Sequence, residues 1–103
     1  VLYLEAELHY VAVVTSRGRA LILYNLRDAI DELAGWPGVQ PHRSYWVSAA
    51  HVTILRRRGR QGTLGISNGD EVPVSRRNLA AVQAWYDARD PQAQAYPQPA
   101  LGQ

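Results

Sequence analysis

The 103-residue sequence predicts a mainly β protein with two short helices on its flanks. Short runs of β-branched and aromatic residues, separated by glycine, asparagine and serine, recur along most of the chain. Asn68-Gly69 lies between two such runs and is a strong signal for a hairpin. Helical periodicity is restricted to two segments, which begin near Asn25 and Ser75. Because 47% of the residues are apolar, the chain can form the core of one domain.

Three strands are predicted at the start of the chain, at residues 2–4, 9–15 and 20–24. A polar loop at residues 5–8 separates the first two. The second strand is apolar on both alternating faces, Tyr10 included, which is typical of a strand buried between layers. Gly18 can adopt positive φ in the tight connection to the third strand, so these two strands should form a hairpin.

A first helix is predicted after Asn25, which is a favourable N-cap residue. Asp28 follows in the first turn, where a negative charge complements the helix dipole. Apolar residues recur at helical spacing on one face, at Leu26, Ala29, Ile30 and Leu33. Gly35 ends the helix, and Pro37-Gly38 marks a turn. The helix is interpreted as structural, because one apolar stripe suits packing onto a sheet.

Four more strands are predicted in the second half of the chain, at residues 45–48, 52–56, 63–67 and 71–74. A short turn precedes the second of them, and residues 57–62 form a basic loop before the third. Pro73 cannot donate a backbone hydrogen bond, so the last strand should lie at a sheet edge or carry a bulge. Ser75 caps the second helix, whose apolar face contains Leu79, Val82 and Tyr86.

The C-terminal segment differs in composition from the rest of the chain. Pro91 ends any helical continuation, and the residues around it are rich in proline, glutamine and alanine without apolar periodicity. The sequence therefore predicts one domain at residues 1–87 and a disordered extension at residues 88–103.

Composition argues against several classes of protein. No apolar stretch is long enough for a membrane span or a secretory signal, and no cysteine is present for a disulfide or a thiolate metal site. We therefore expect a cytoplasmic location and no membrane contact by this fragment, while the full-length protein could be membrane-tethered. His9, His42 and His51 match no chelating spacing, so no metal site is expected.

Catalysis is not expected either. Ser44 lies close to His42, but no glycine-flanked turn and no orienting acid accompany the pair, so Ser44 is interpreted as a backbone hydrogen-bonding residue. The sequence also lacks a glycine-rich phosphate loop and a pair of carboxylates. It thus predicts no enzyme activity and no cofactor.

The cationic side chains are all arginine, 11 in total, although the net charge is only +2. The planar guanidinium suits bidentate contacts to phosphate and guanine, while biased codon usage would explain the missing lysine equally well. The arginines cluster in two places, at Arg56, Arg57, Arg58 and Arg60 and at Arg76 and Arg77. Clustering allows a basic face despite the small net charge.

Arg76 and Arg77 lie in the first turn of the second helix, where each cation opposes the helix dipole at a cost of about 0.3–1 kcal/mol. An unfavourable local choice indicates a functional position, and two guanidiniums beside helix N–H groups suit phosphate. The alternative is that both are good helix formers that pair with Asp70 or Glu71. For His9, the residue pattern favours a partly buried, satisfied histidine over a contact to a base or phosphate.

Several segments together resemble one known family. They are Leu2-Tyr3-Leu4-Glu5-Ala6-Glu7, His9-Tyr10-Val11, Asn25-Leu26-Arg27, His42-Arg43-Ser44-Tyr45 and Val72-Pro73-Val74-Ser75-Arg76. In this order the chain, from Leu2 to about Tyr86, resembles the LytTR family of DNA-binding domains in bacterial transcription regulators, including response regulators of two-component systems. The resemblance implies an elongated sandwich of small antiparallel sheets with short flanking helices.

The resemblance also implies a function and a set of site residues. Family members bind double-stranded DNA through loops at one sheet edge, which enter successive major grooves. The matching loops here are Glu7-Leu8-His9, His42-Arg43-Ser44 and Ser75-Arg76-Arg77. Arg43 and Arg77 match contact positions and His9 a lesser one, while His42 and Ser44 support their loop and Arg76 lies beside Arg77. The cluster from Arg56 to Arg60 is by itself most often a solvated loop, but on a DNA-binding domain it would add sequence-independent attraction, with Arg57 and Arg58 as contact residues.

The sequence also departs from the family pattern. One or two strands usually precede the segment that matches residues 2–4, so we expect an incomplete first sheet with an edge open to pairing. Trp46 is bulkier than the aliphatic residue usual at that position. Expected partners are repeated DNA half-sites and a second copy, held through missing regions or the open edge. A protein–protein interaction module that uses the arginine-rich, aromatic edge is the alternative.

Overall fold

The computed structural model describes residues 1–89. Eight strands lie in this range, at Tyr3–Glu7 (β1), Tyr10–Thr15 (β2), Gly18–Leu23 (β3), Gly38–His42 (β4), Tyr45–Ser48 (β5), Val52–Arg58 (β6), Gln61–Ile66 (β7) and Glu71–Val74 (β8). The same range contains helix α1 at Leu26–Glu32, helix α2 at Arg76–Arg89 and a short 3-10 helix at Ala49–His51. The prediction of a mainly β protein with two helices is confirmed.

The strands form two antiparallel sheets. The larger sheet has the order β3-β2-β1-β5-β4, and the smaller one has the order β6-β7-β8. Together they make an elongated body of 45 × 31 × 23 Å, which agrees with the expected sandwich. β1 pairs with a strand on each side, so the edges of the larger sheet are β3 and β4. Pro73 lies in an edge strand of the smaller sheet, as predicted.

A first hydrophobic core lies between the two sheets and α2. Its buried residues come from all three elements, namely Leu2, Tyr3, Val14, Val47, Val52, Leu64, Ile66, Val72, Val74, Leu79 and Val82. Tyr3 pairs with both Val14 and Val47, so this core covers one end of the larger sheet. The opposite end of that sheet extends beyond the core and carries the turns described below.

A second core lies on the other face of the larger sheet, beneath α1. It contains Leu4, Val11, Leu26, Ala29 and Trp46. The carboxamide oxygen of Asn25 accepts a hydrogen bond of 2.8 Å from the Asp28 N–H, so the predicted N-cap is confirmed. The indole of Trp46 packs so closely over Gly38 that a Cβ at residue 38 would overlap it. The absence of a side chain at Gly38 therefore leaves the space that the Trp46 indole occupies.

Two local predictions were wrong, and one strand was not predicted. β1 continues to Glu7, because its pairing with β2 extends to that residue and removes the predicted loop at residues 5–8. Residues 38–42 form β4, which was not predicted because the proline at position 41 lacks the N–H that a paired strand uses. The predicted basic loop at residues 57–62 is the end of β6, a two-residue turn and the start of β7.

The prediction that β2 is buried on both faces is only partly correct. Val11 and Ala12 are fully buried, whereas the side chain of Tyr10 is 45% exposed. Tyr10 pairs with Glu7 at the end of the sheet that the smaller sheet does not cover, so one of its faces meets solvent. At the C-terminus, α2 includes residues 88 and 89, and the remainder of the predicted extension lies outside the described residues.

Candidate nucleic-acid interface

Two hairpin turns lie side by side at the uncovered end of the larger sheet. Leu8 and His9 connect β1 to β2, and Arg43 and Ser44 connect β4 to β5. The Ala6 N–H donates a hydrogen bond of 2.7 Å to the carbonyl oxygen of Ser44, which joins the end of β1 to the second turn. The two predicted contact loops therefore share one edge of the molecule.

The start of α2 is fixed beside the second of these turns. The Ser75 N–H donates to the Pro41 carbonyl at 3.0 Å, and the Asn78 carboxamide donates to the Gln40 carbonyl at 3.2 Å. The Ser75 hydroxyl accepts a hydrogen bond of 3.2 Å from the Asn78 N–H, which confirms the predicted cap. Because β4 and the first turn of α2 are connected in this way, the third predicted loop joins the other two.

Arg43 and Arg77 open onto the same surface cavity. This cavity has a volume of about 410 Å³ and is lined by Gln40, His42, Arg43, Ser75, Arg77 and Asn78. Hence residues 34 positions apart in the chain meet on one face (77 − 43 = 34). We call the surface formed by Leu8, His9, Arg43, Ser44, Arg76 and Arg77 the rim.

The turn that carries Arg43 is held by its neighbours. Nδ1 of His42 accepts a hydrogen bond of 3.1 Å from the Ser44 N–H, so the imidazole closes the turn. The ring of His42 also packs edge-on against that of Tyr45, with centroids 5.7 Å apart. The Tyr45 hydroxyl donates to the Glu5 carboxylate at 3.0 Å, and burial together with this bond raises the pKa of the Tyr45 phenol. These contacts orient the turn and leave the Arg43 side chain exposed.

Asp70 and Glu71, which the sequence offered as ion-pair partners for Arg76 and Arg77, bind other residues instead. Glu71 forms an ion pair with Arg56 at 3.2 Å, and Asp70 accepts a hydrogen bond of 2.8 Å from the Tyr3 hydroxyl. Within residues 1–89, Arg43 and the two arginines of the first turn of α2 form no ion pair. Their guanidiniums are exposed and can meet an external anion.

His9 is exposed at the tip of its turn. Its carbonyl accepts a hydrogen bond of 3.3 Å from the Tyr24 N–H, which ties the turn to the end of β3. The partly buried position favoured by the residue pattern is therefore not observed.

The basic cluster of the β6–β7 hairpin is divided between two faces of the smaller sheet. Arg57 points towards α2, where its guanidinium donates to the Gln83 side chain at 3.5 Å. Arg57 and Arg60, together with Arg76 of α2, line a cavity of about 640 Å³ between the smaller sheet and this helix. Arg58 alternates with Arg57 along β6 and lies on the face where Arg56 pairs with Glu71. Arg57 thus continues the rim through Arg76, whereas Arg58 does not.

One cationic residue beside the rim was missed by the sequence analysis. Arg27 shares a cavity of about 350 Å³ with Arg43 and Gln40. Like the arginines of α2, it lies in the first turn of its helix, where a cation opposes the helix dipole. The criterion applied to the second helix would have identified Arg27 if it had been applied to the first.

The described residues contain neither a candidate metal site nor a candidate membrane span. Across residues 1–89, no group of three or more histidine, cysteine or acidic side chains is arranged to hold a metal ion. Neither described helix is both long enough and apolar enough to span a bilayer.

Comparison with known proteins gives consistent results. A family model described as LytTr DNA-binding domain matches residues 1–87. The CO-responsive transcriptional regulator RcoM of Rhodospirillum rubrum is 34% identical over 85 residues, which is 81% of this chain and 36% of that protein. A solved LytTr DNA-binding domain of a methyl-accepting/DNA response regulator from Bacillus cereus superimposes with a TM-score of 0.72 at 24% identity, covering 84% of this chain and 80% of the other.

Proposed function

The chain belongs to the LytTR family of DNA-binding domains, and we propose that it binds specific sequences in double-stranded DNA as the output module of a transcriptional regulator. The observation that carries this proposal is that Arg43 and Arg77, from distant parts of the chain, line one cavity at the same edge. Guanidiniums that share one exposed surface and form no ion pair within residues 1–89 suit the phosphates and guanine edges of a duplex.

We propose that the turns of the rim enter successive major grooves. The two hairpin turns and the start of α2 lie along one edge. Only the first turn of α2 belongs to this edge, and the helix packs against the core further along its length. Arg43 and Arg77 would contact bases and phosphates, with a smaller contribution from His9. His42 would act through the turn that it closes, and Ser44 through its backbone bond to β1.

Sequence-independent attraction would come from the arginines beside the rim. Arg76 and Arg57 face one cavity and would contact phosphates next to the groove that Arg77 enters. Arg58 lies on the other face of its sheet, so it would act only by raising the local positive potential. Arg27, beside Arg43, would extend the phosphate-binding surface towards α1.

The wider setting is also part of this proposal. The chain spans 36% of the length of RcoM, so a sensory or receiver part would accompany the domain in the full-length protein.

Two copies would bind repeated half-sites in the cytoplasm. Antiparallel pairing of two β3 edges would direct the rims of the two copies in opposite directions, because the rim lies at one end of the sheet. We therefore assign pairing on DNA to regions outside this domain.

A second candidate function is the binding of an extended protein segment to β3. All six residues of this edge strand are exposed, and the side chains of Leu21 and Leu23 are 55% and 72% exposed. Its one charged residue, Arg19, is already paired with Glu5 and Glu7 of the same sheet. Such an edge can accept an added strand. Capture of an extended peptide with little salt dependence, without binding to duplex DNA, would favour this function over the first.

The main proposal is tested by selection from a pool of random duplexes, followed by titration of the selected duplex at several salt concentrations. We expect the pool to converge on one site, and the logarithm of the binding constant to fall linearly with the logarithm of the salt concentration. A pool that does not converge contradicts sequence-specific binding, whatever the affinity for random DNA.

A further inference from the structure

Leu8, at the tip of the turn between β1 and β2, has an unusual backbone conformation. Its φ is +53°, in the left-handed region, and it is the one non-glycine residue of the described range with positive φ. The other residues of that range with positive φ are all glycine, namely Gly18, Gly35, Gly59 and Gly69. Within residues 1–89, glycine is therefore used wherever φ is positive, except at this position of the rim.

The stability of the fold does not account for a leucine here. The left-handed conformation is unfavourable for a residue with a Cβ, and glycine or asparagine would avoid most of that cost. The Leu8 side chain is 100% exposed, so no burial offsets the strain. Strained residues of this kind concentrate at functional positions.

The surroundings of Leu8 indicate what its side chain meets. The turn lies beside Ser44, through the bond between Ala6 and the Ser44 carbonyl, and Leu8 directly precedes the exposed His9. The rim otherwise presents guanidinium, imidazole and hydroxyl groups, which match phosphates and the polar edges of bases. In the major groove the C5-methyl group of thymine is the apolar feature that a base pair presents.

We propose that Leu8 packs against the C5-methyl group of a thymine and so contributes to the sequence specificity of the rim. This inference rests on the proposed DNA-binding function and adds an apolar contact to it. The left-handed turn would project the aliphatic side chain beyond the sheet, where a glycine would leave the methyl group without a partner.

The test removes the methyl group from DNA and the side chain from the protein in a double-mutant cycle. Each thymine of the selected duplex is replaced in turn by deoxyuridine, which lacks only the C5-methyl group. At one position we expect the unaltered chain to lose about fourfold in affinity, which corresponds to about 0.8 kcal/mol for one buried methyl-sized group. Leu8→Gly and Leu8→Ala should bind thymine and uracil duplexes equally well at that position.

Two variants separate the side chain from the backbone. Leu8→Gly relieves the left-handed strain and should raise the unfolding midpoint, whereas Leu8→Ala keeps the strain and shortens the side chain. Both should lower affinity for the selected duplex and change affinity for random duplex little. Ile54→Ala is the matched control, because it removes an exposed aliphatic side chain from the face of β6 opposite Arg57, and it should retain the full loss at the uracil position.

Each outcome decides the inference. If uracil replacement affects the unaltered chain and Leu8→Gly equally at every position, Leu8 does not contact a thymine methyl group, while DNA binding itself stands. If both Leu8 variants bind the selected duplex as well as the unaltered chain does, the leucine serves another partner, such as a protein docked along β3, and the inference is overturned. Failure of the pool to converge would instead remove the proposed function and this inference together.

Discussion

Replacement of Arg77 by alanine should affect stability and DNA binding in opposite directions. Its guanidinium forms no ion pair in the part of the chain that the structure describes, and it lies in the first turn of α2, near the positive end of the helix dipole. Removing the charge should therefore stabilise the fold by about 0.3–1 kcal/mol. Alanine is also at least as good a helix former, so no loss of helix propensity offsets this gain.

Binding to the selected duplex should weaken at the same time. Loss of a bidentate contact to guanine costs about 1–3 kcal/mol, or roughly 5- to 150-fold in affinity. Fluorescence anisotropy titrations against the selected and a random duplex measure this loss, and urea unfolding measures the change in stability. Preference among the four bases should relax at one base pair.

Arg58→Ala is the control for general loss of positive charge, because Arg58 lies on the other face of the smaller sheet. It should weaken binding to selected and random duplex equally and only slightly. An equal loss on both duplexes for Arg77→Ala would refute its base contact. A decrease in the unfolding free energy would refute the view that Arg77 has no structural role.

Three other predictions concern Arg57, Gly38 and Tyr3. Arg57→Ala should reduce the slope of log affinity against log salt by about 0.9, if Arg57 meets one phosphate, while Arg58→Ala should leave the slope within error. Gly38→Ala should cost about 1–3 kcal/mol in urea unfolding of the unaltered chain and much less in a Trp46→Leu background, since the added Cβ overlaps the indole that this background lacks. Burial and the hydrogen bond to Asp70 raise the pKa of Tyr3 from 10.0 to about 12. Because the unfolded chain loses this proton at lower pH than the folded chain does, the free energy of unfolding should fall as pH rises from 10 to 12, and it should fall less in Tyr3→Phe.

Most of the secondary structure could be predicted because local signals agreed with the tertiary fold. The cap at Asn25, the hairpin at Asn68-Gly69 and the edge position of Pro73 each follow from the chemistry of one or two residues. β4 could not be predicted in the same way. Its proline at position 41 argued against a strand, and its pairing with β5 depends on close packing between Gly38 and Trp46, which no local pattern reveals.

The candidate site was only partly accessible from the sequence, for a similar reason. The spacing of Arg43 and Arg77 in the chain contains no information on their shared cavity, which depends on hydrogen bonds between the start of α2 and β4. The separation of Arg57 from Arg58 was also hidden. If residues 57–62 were a loop, both side chains could face the same way, whereas the observed strand places them on opposite faces.

The residues of this surface that oppose local stability have a common position. Arg27, Arg76 and Arg77 place cations in the first turns of helices, and Leu8 places a side chain where the backbone favours glycine. All four lie on the rim or beside it, although they come from three separate parts of the chain. Random drift would scatter such unfavourable choices over the whole surface. Within residues 1–89 none of these four side chains forms an ion pair or a side-chain hydrogen bond, so their concentration at one edge is what the proposed contact with phosphates and thymine methyl groups requires.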